Sequence, residues 1–393
     1  MSKTRDNHYV PQWYQKGFMI NGRDDLSHLR KRTIALPNGD AKVVDSKNWF
    51  KPAQCFYQTD LYTTFFGSHI NDEIERKLFS QIDDNGSGAV KAFLTDDQSN
   101  WHNHFQDFFE YLDSQKIRTP KGLEWLQSKY SYLDQNKLML EMQSIRMMNC
   151  TLWKEGVREL VSAKTSKVKF IVSDHPVTVY NYACPPDSEL CQYPNDPDIS
   201  LKGSQTIFPL DQDRCLILTN LEYAKDPEGS NPLEQRTNAT RVRQSMAKTI
   251  EFINNRELTA EEVTYINYII KSRSKESIAA GNKDWLYPEE SVSKDWAELR
   301  HVLMPPSDQL HRYGGEMFIG YEDGTTYYQD AFGRTTTQHE QLRKNTDKKS
   351  LGRNDRCGCG CGCGSGRKYK RCCLDIPEHH RTTWSYYSIR ERN

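Results

Sequence analysis

The chain has 393 residues, 53 Lys and Arg against 53 Asp and Glu, and 36% hydrophobic residues of which many are aromatic, at 11% of the whole. That length suits one large domain or two, and Tyr, Trp and Phe offset the low apolar content because each buries a large area. The charge balance excludes a chain that is polycationic throughout, and no apolar run approaches the roughly 20 residues of a membrane span.

In chain order, Arg32 to Leu36 and Ala41 to Val44 flank Pro37-Asn38-Gly39-Asp40, which predicts a β-hairpin within 28–50 because Asn-Gly favours tight turns. Asn71 to Ser80 reads as a helix, with Ile74 and Leu78 on one face and Asp72, Glu73 and Glu75 at its N-terminus. Asp83 to Gly88 reads as a flexible acidic loop, without the Glu that a calcium loop places at its end. Trp101 to Lys116 is a helix with an aromatic stripe through Phe105, Phe108, Phe109 and Leu112, limited by Pro120. Leu123 to Leu160 is mostly helical. Val168 to Val172 and Val177 to Tyr180 are strand-like, and Cys184 to Ser200, rich in Pro and Asp, is a loop. Thr206 to Leu210 and Arg214 to Thr219 form a strand pair around Asp211-Gln212-Asp213. Glu234 to Asn254 and Thr259 to Ser277 are helices, the second opened by a Thr259/Glu262 capping box. Phe318 to Tyr328 is another hairpin, and 333–351 is a polar linker. The fold class expected is α+β, a mainly helical body with a small central sheet and a small cysteine-rich knuckle at the C-terminus.

The last forty residues carry the most readable chemistry. Six of the eleven cysteines, Cys357, Cys359, Cys361, Cys363, Cys372 and Cys373, lie within seventeen positions. Thiolates this dense repel unless neutralised, and a tetrahedral zinc ion neutralises four of them. Gly352-Arg353-Asn354-Asp355 and Cys361-Gly362-Cys363-Gly364-Ser365-Gly366-Arg367-Lys368-Tyr369-Lys370-Arg371-Cys372-Cys373 resemble the SEC-C zinc motif of the preprotein translocase motor and many other bacterial proteins. That resemblance implies Zn2+ held by Cys361, Cys363, Cys372 and Cys373. The Cys-Gly unit is repeated here, so Cys357 and Cys359 are an alternative first pair; they keep the family's spacing to Arg353-Asn354-Asp355. From Gln341 to Cys373 there are ten Lys or Arg against Asp347 and Asp355, a formal +8 before thiolate ionisation. Arg367, Lys368, Lys370 and Arg371 are therefore candidates for contact with RNA, a ribosome or an acidic protein surface.

Near the other end, His8-Tyr9-Val10-Pro11-Gln12-Trp13-Tyr14, with Gly17-Phe18, resembles the opening of the bacterial domain of unknown function 4238. Gln115, Arg118, Thr119 and Pro120, then Phe170 to Asp174 with Pro176 and Val177, then Phe208-Pro209-Leu210, extend that resemblance over about 8–275. It implies a family but no activity. Taken on their chemistry, His8 can act as a base, Asp174 ends a strand, and Gln115 and Arg118 share a helix face where Arg can hold a phosphate. His8, Gln115, Arg118 and Asp174 are thus the candidate catalytic residues of a phosphodiester or nucleotide site; the bland alternative is that His8 only caps the neighbouring chain, Asp174 hydrogen-bonds its own turn, and Arg118 pairs with Asp174 in a buried ion pair that fixes the fold. His102 and His104 alternate on their helix, so their rings point apart and do not make a metal pair. The chain carries no phosphate-cradling Gly-rich loop, Gly-x-Ser-x-Gly elbow or His-Glu-x-x-His.

The expected organisation is a body at 1–332, the linker, the knuckle at 352–375 and a tail at 376–393. The favoured function is a zinc-binding bacterial protein whose knuckle docks on nucleic acid, a ribosome or a protein partner. The alternative is a nuclease or phosphate-transferring effector of stress or phage defence. The N-terminus lacks a signal-peptide pattern and the other cysteines lack paired spacing, so the expected setting is the cytoplasm, away from membranes.

Overall fold

The computed structural model describes residues 6–35, 41–62, 64–66, 69–71, 79–145, 147–236, 251–254, 256–313, 317–320, 326–329, 335–337, 353–354 and 368–371. The architecture is α+β. The chain divides into two units, 1–317 with 329–335, and 318–328 with 336–393.

The first unit opens with strand β1 (Asp6–His8), helix α1 (Gln12–Gln15) and the hairpin β2 (Leu26–Ala35) and β3 (Ala41–Phe50). That hairpin pairs from Leu26 opposite Phe50 to Ala35 opposite Ala41, so the strand pairing expected from the sequence is present; the turn residues 36–40 lie outside the described residues. Strands β4 (Tyr57–Thr59), β5 (Thr64–Phe66) and β6 (His69–Asn71) follow, β4 pairing with β1 and β5 with β6. Of the helix expected over Asn71 to Ser80, residues 72–78 lie outside the described residues, and Asn71 belongs to a strand.

Helices α2 (Ser80–Phe93), α3 (Gln98–Asn103), α4 (Phe105–Ile117), α5 (Pro120–Lys129), α6 (Gln135–Ser144) and α7 (Cys150–Glu155) form the helical half. The supposed loop Asp83 to Gly88 lies inside α2. Its glycines suggested a turn, but Gly86 is there for packing: a Cβ at Gly86 would come within 2.4 Å of the Tyr111 ring. The aromatic stripe of α4 is buried as expected, and Phe93, Trp101, Phe105, Phe108 and Phe252 pack ring against ring. Each such side chain contributes about 1.5–3 kcal/mol by leaving water. The helix expected from Trp101 to Lys116 breaks at His104, which separates α3 from α4.

The stretch from Leu123 to Leu160 is also broken. Met147 takes a left-handed backbone, φ 67°, and the buried Asp113 carboxylate holds it by accepting the N–H groups of Met147 at 2.5 Å and Asn149 at 3.2 Å. By Val157 the chain is already in strand β7 (Val157–Ser162).

Two four-stranded sheets then replace the single small sheet expected. One has the order β7, β11 (Arg214–Thr219), β10 (Gln205–Pro209), β9 (Thr178–Tyr180), all antiparallel. Its strands are buried along their whole length, which suits the apolar runs Ile207 to Pro209 and Cys215 to Leu218, while β7 carries Arg158 and Glu159 buried as well. The other has the order β3, β2, β12 (Ser277–Ala280), β8 (Val172–Ser173). Helix α8 (Leu221–Lys225) follows β11, and helix α9 (Ala260–Arg273), which packs against β8 and β9, is opened by the expected Thr259/Glu262 capping box. Sequence periodicity ran α9 on to Ser277, but Ser274 is extended and Ser277 starts β12. The helix expected at Glu234 to Asn254 falls mostly on residues outside the description. At its ends the chain is bridged instead, Gln235 to Leu201 and Ile253 to Glu159. Helix α10 (Arg300–Leu303) completes the described helices.

Strands β13 (Met317–Gly320) and β14 (Thr326–Gln329), neighbours as the sequence implied, form a three-stranded sheet with β15 (Thr335–Thr337). In the second unit, a short 3-10 turn spans Tyr369–Arg371. No helix of the described residues is long and apolar enough to cross a membrane.

Candidate functional site

The His8 to Phe18 segment works as an internal strap. The Tyr9 carbonyl accepts a 2.7 Å hydrogen bond from Gln115 Nε2, and the Val10 carbonyl accepts one of 2.8 Å from Gln15 Nε2. Tyr14 stacks on Phe208, centroids 5.4 Å apart, and its hydroxyl donates to the Pro209 carbonyl. A Cβ at Gly17 would lie 3.0 Å from the Asp211 side chain, and the Gly17 carbonyl accepts from Gln212 N–H at 3.0 Å. The strap therefore ties β1 to α4 and to the turn between β10 and β11. The aromatic and small residues of the segment are accounted for by this docking.

Gln115 and Arg118 do meet. Gln115 Oε1 accepts from Arg118 Nε at 3.0 Å and Nη2 at 2.6 Å. The guanidinium is 1% exposed, pairs through Nη1 with Asp83 at 2.8 Å, and lies over the Phe79 and Tyr111 rings. Burial pushes the Asp83 carboxyl up, although Arg118 pulls the other way. Arg118 is thus paired with a carboxylate of α2, not with Asp174.

Asp174 sits elsewhere. Its carboxylate accepts the backbone N–H groups of Lys275, Glu276 and Ser277 at 2.7–2.8 Å, and so folds the turn into β12. Burial pushes this carboxyl up, and those three N–H groups pull it back. His8 is half-buried, and its Nε2 donates to the Ala53 carbonyl at 3.1 Å. The four residues named from the sequence therefore fall into one joined pair, Gln115 with Arg118, and two separate positions. Tyr9 stands between them: its carbonyl binds Gln115, and burial, then the Asp174 and Glu276 carboxylates, push its phenol up.

The cluster that the sequence reading passed over is one residue away. His175 Nδ1 lies 2.6 Å from Thr119 Oγ1, and Nε2 lies 3.1 Å from Asp196 Oδ2. Lys121 Nζ donates to Asp196 Oδ1 at 2.6 Å and to the Arg273 carbonyl at 2.7 Å, and Lys116 Nζ lies 3.1 Å from Asp196 Oδ2. Burial pushes the Asp196 carboxyl up, but Lys121 and Lys116 outweigh it and hold it well below the usual range. Burial lowers the His175 imidazole to about 4, against the pull of Asp196. The only local hint was His175 itself, inside the Ser173-Asp174-His175-Pro176 break. Asp196 sits in the Pro- and Asp-rich loop, where nothing local distinguishes it from its neighbours.

A family model described as Protein of unknown function (DUF4238) matches residues 6–284. The chain belongs to the DUF4238 family. No curated protein and no solved structure matches it. The family match covers the strap, the Gln115–Arg118 pair, Asp174 and the His175–Asp196 cluster, and it ends before the second unit. Among the described residues no group of three or more His, Cys, Asp or Glu side chains is placed to hold a metal ion. The thiols Cys357, Cys359, Cys361, Cys363, Cys372 and Cys373 lie outside the described residues, as does Arg367.

Proposed function

We propose that this DUF4238 protein is a zinc-binding docking protein. Its basic C-terminal knuckle attaches to a polyanionic surface, whether nucleic acid, ribosome or an acidic protein partner, and the body supplies a second, unassigned activity. The observation that carries this reading is the 3.0 Å hydrogen bond from Lys370 N–H to the Arg353 carbonyl. It brings Arg353, which precedes Cys357, next to the turn that immediately precedes Cys372 and Cys373. A second bond, from Arg371 N–H to the Lys368 carbonyl at 2.8 Å, tightens the returning turn.

An approach of this kind suits a tetrahedral metal site, which needs thiols from both arms of a loop. Cys361 and Cys363 on one arm, with Cys372 and Cys373 on the other, would hold the ion; Cys357 and Cys359 are the alternative first pair. All four donors are thiolates, which matches a structural zinc site with no position left for a reacting water. Zinc there would supply folding energy and a fixed shape. Arg353, Lys368, Lys370 and Arg371 are exposed around the turn, so their charge faces solvent. Four thiolates and one Zn2+ remove about two positive charges from the segment, which leaves it cationic.

The alternative reading, a nuclease or phosphate-transferring effector, has no comparable observation behind it. Arg118 is enclosed by Gln115, Asp83 and two rings, and Asp174 is committed to backbone N–H groups. The deciding experiment is metal analysis of the reduced full chain, with RNA binding measured on the same preparation. One zinc per chain, lost in a Cys372→Ser, Cys373→Ser variant together with RNA affinity, is the expected result. Unchanged metal content in that variant, or zinc without any change in binding, would remove the proposal's first or second half respectively.

A further inference from the structure

Helices α4 and α5 meet at a corner so tight that a Cβ on Gly122 would lie 2.4 Å from the carbonyl oxygens of Lys116 and Ile117. The corner turns Lys116, in the last turn of α4, and Lys121, in the first turn of α5, onto one carboxylate. Lys121 Nζ lies 2.6 Å from Asp196 Oδ1, and Lys116 Nζ lies 3.1 Å from Oδ2. His175 Nε2 also reaches Oδ2, at 3.1 Å, so a single carboxylate serves three donors. An ammonium carries three protons. Asp196 accepts one from each lysine, and the Arg273 carbonyl accepts a second from Lys121 at 2.7 Å. Two protons of Lys116 and one of Lys121 therefore have no acceptor among the described residues.

Arg273, at the end of α9, adds a third cation. It is 3% exposed. Its Nη2 donates to the Cys184 carbonyl at 2.5 Å, its guanidinium faces the Trp296 ring at 5.0 Å, and its Nε is buried with no partner. Its carbonyl is the one that binds Lys121, and bond lengths keep Nε within about 7 Å of that oxygen. No carboxylate among the described residues pairs with this guanidinium. Arg118 and Arg256 differ, since each has a carboxylate partner, Asp83 and Glu159.

Three positive charges thus crowd a region in which Asp196 is the one bonded carboxylate. The side chains of Lys116, Lys121 and Asp196 are only 17%, 6% and 8% exposed, so water compensates little of the excess. Lys121 also stands at the positive end of the α5 dipole, whose first turn holds no acid.

We infer that Lys116, Lys121 and Arg273 form a binding site for a phosphate group, which supplies the missing negative charge. A phosphate monoester carries about −1.5 to −2 at neutral pH and presents three strong acceptor oxygens. That charge matches the excess of two, and the oxygens match the spare lysine protons and Arg273 Nε. A monocarboxylate would leave one positive charge uncovered. Lys116 is the most exposed of the three cations and marks the edge at which a ligand enters. All three lie in the first unit, so phosphate binding here does not require the knuckle.

The test titrates the full chain with inorganic phosphate by calorimetry, in a zwitterionic buffer with chloride holding the ionic strength constant. Phenyl phosphate and acetate are run in parallel. One saturable phosphate site per chain is expected, with no binding of acetate. Phenyl phosphate binding as tightly as phosphate assigns the site to a phosphorylated ligand, and its exclusion assigns the site to the free ion. Lys116→Gln should weaken phosphate binding by about tenfold or more, and Lys116→Arg should restore it. Arg273→Gln should abolish it; if that variant does not fold, the two Lys116 variants decide alone. Hydrogen exchange should slow on phosphate addition in 119–123 and 184–200. No saturable binding would overturn the inference. So would binding that survives Lys116→Gln unchanged, equal binding of acetate, or protection confined to 353–371, where the cations of the knuckle lie.

Discussion

Thr119 and His175 meet through a 2.6 Å contact between Oγ1 and Nδ1 that fixes where the imidazole carries its proton. Asp196 Oδ2 lies 3.1 Å from Nε2, and a carboxylate only accepts, so Nε2 bears the hydrogen. Nδ1 is then bare and accepts the Thr119 hydroxyl. That same hydroxyl oxygen accepts Gly122 N–H at 3.2 Å and caps α5, so the tautomer of His175 is tied to the start of a helix. Asp196 joins this arrangement to Lys116 and Lys121. Two helical residues, a helix cap and two loop residues thereby share one buried polar knot.

This knot makes stability depend on pH in a defined window. The folded state holds His175 at about 4 against an ordinary 6.5, chiefly through burial. Below 6.5 the unfolded chain takes up a proton that the folded chain refuses, so stability falls as pH drops from about 6.5 to about 4. The full loss is about 3 kcal/mol, from roughly 1.4 kcal/mol per unit. The Asp196 contribution is lost only at lower pH, because its carboxyl is held down. Urea unfolding at pH 7 and pH 5 should show the drop, and a His175→Gln variant should flatten it. Equal slopes in both proteins would mean that another group titrates.

The buried ion pair of Arg118 with Asp83 makes a second prediction. Removing the cation in Arg118→Met leaves Asp83 partly buried and Gln115 Oε1 without its donor. Breaking a buried pair from one side costs about 3–5 kcal/mol, and solvent at the quarter-exposed Asp83 puts this case at the lower end. The variant's Asp83 carboxyl moves up further, so its penalty grows as pH rises above the ordinary carboxylate range and shrinks in acid. A second change, Asp83→Leu, should recover much of the loss. Chemical denaturation of the two single variants and the double variant gives the coupling directly; additive losses would show that the pair carries no net energy.

How far the sequence carried can be judged at particular elements. The strand pair Thr206 to Thr219 was legible because its apolar runs are separated by the polar Asp211-Gln212-Asp213-Arg214, and that turn is where the chain reverses. The Thr259/Glu262 capping box fixed the start of α9 to the residue. Illegible elements depended on partners distant in sequence. Asp113 breaks the helix at Met147 from across 34 positions, and Asp196 gains its meaning from Lys116 and Lys121, whose bonds to it span 80 and 75 positions. Among the candidate site residues, the Gln115–Arg118 contact followed from helical spacing. The Asp83 partner did not, since Asp83 lay in a stretch whose local propensities favoured a loop.

The two glycines of that stretch offer a paired test. Both lie inside α2, where Ala is favoured over Gly by about 1 kcal/mol. A Cβ at Gly88 meets only His104 Cε1 at 3.8 Å, an ordinary contact. Gly88→Ala should therefore stabilise the protein by about 0.5–1 kcal/mol. A Cβ at Gly86 would come within 2.4 Å of Tyr111 Cδ2 and 2.6 Å of Cγ, and the ring is fully buried between α2 and α4. Gly86→Ala should cost about 1–3 kcal/mol despite its better propensity, because overpacking outweighs it. Thermal unfolding of the two variants should shift in opposite directions. Stabilisation by both would mean that Tyr111 moves aside freely.

The proposed knuckle makes the last prediction, and salt tests it. Arg353, Lys368, Lys370 and Arg371 are exposed where Arg353 meets the turn that precedes Cys372. If each meets one phosphate of a single-stranded RNA, the affinity should fall with salt with a logarithmic slope of about −3, from roughly −0.7 per neutralised phosphate. Lys370→Ala with Arg371→Ala removes two contacts and should halve that slope, while the melting of the body, which is separate sequence, should not move. Zinc removal should act differently, since loss of the fold scatters the charges without deleting them. Chelation should therefore weaken binding at moderate salt yet leave a residual attraction at low salt, where unstructured cations still condense on the polyanion. A slope that ignores the double substitution would place the contact elsewhere on the chain. Binding to an acidic protein but not to RNA, under the same salt series, would keep the charge argument and change the partner.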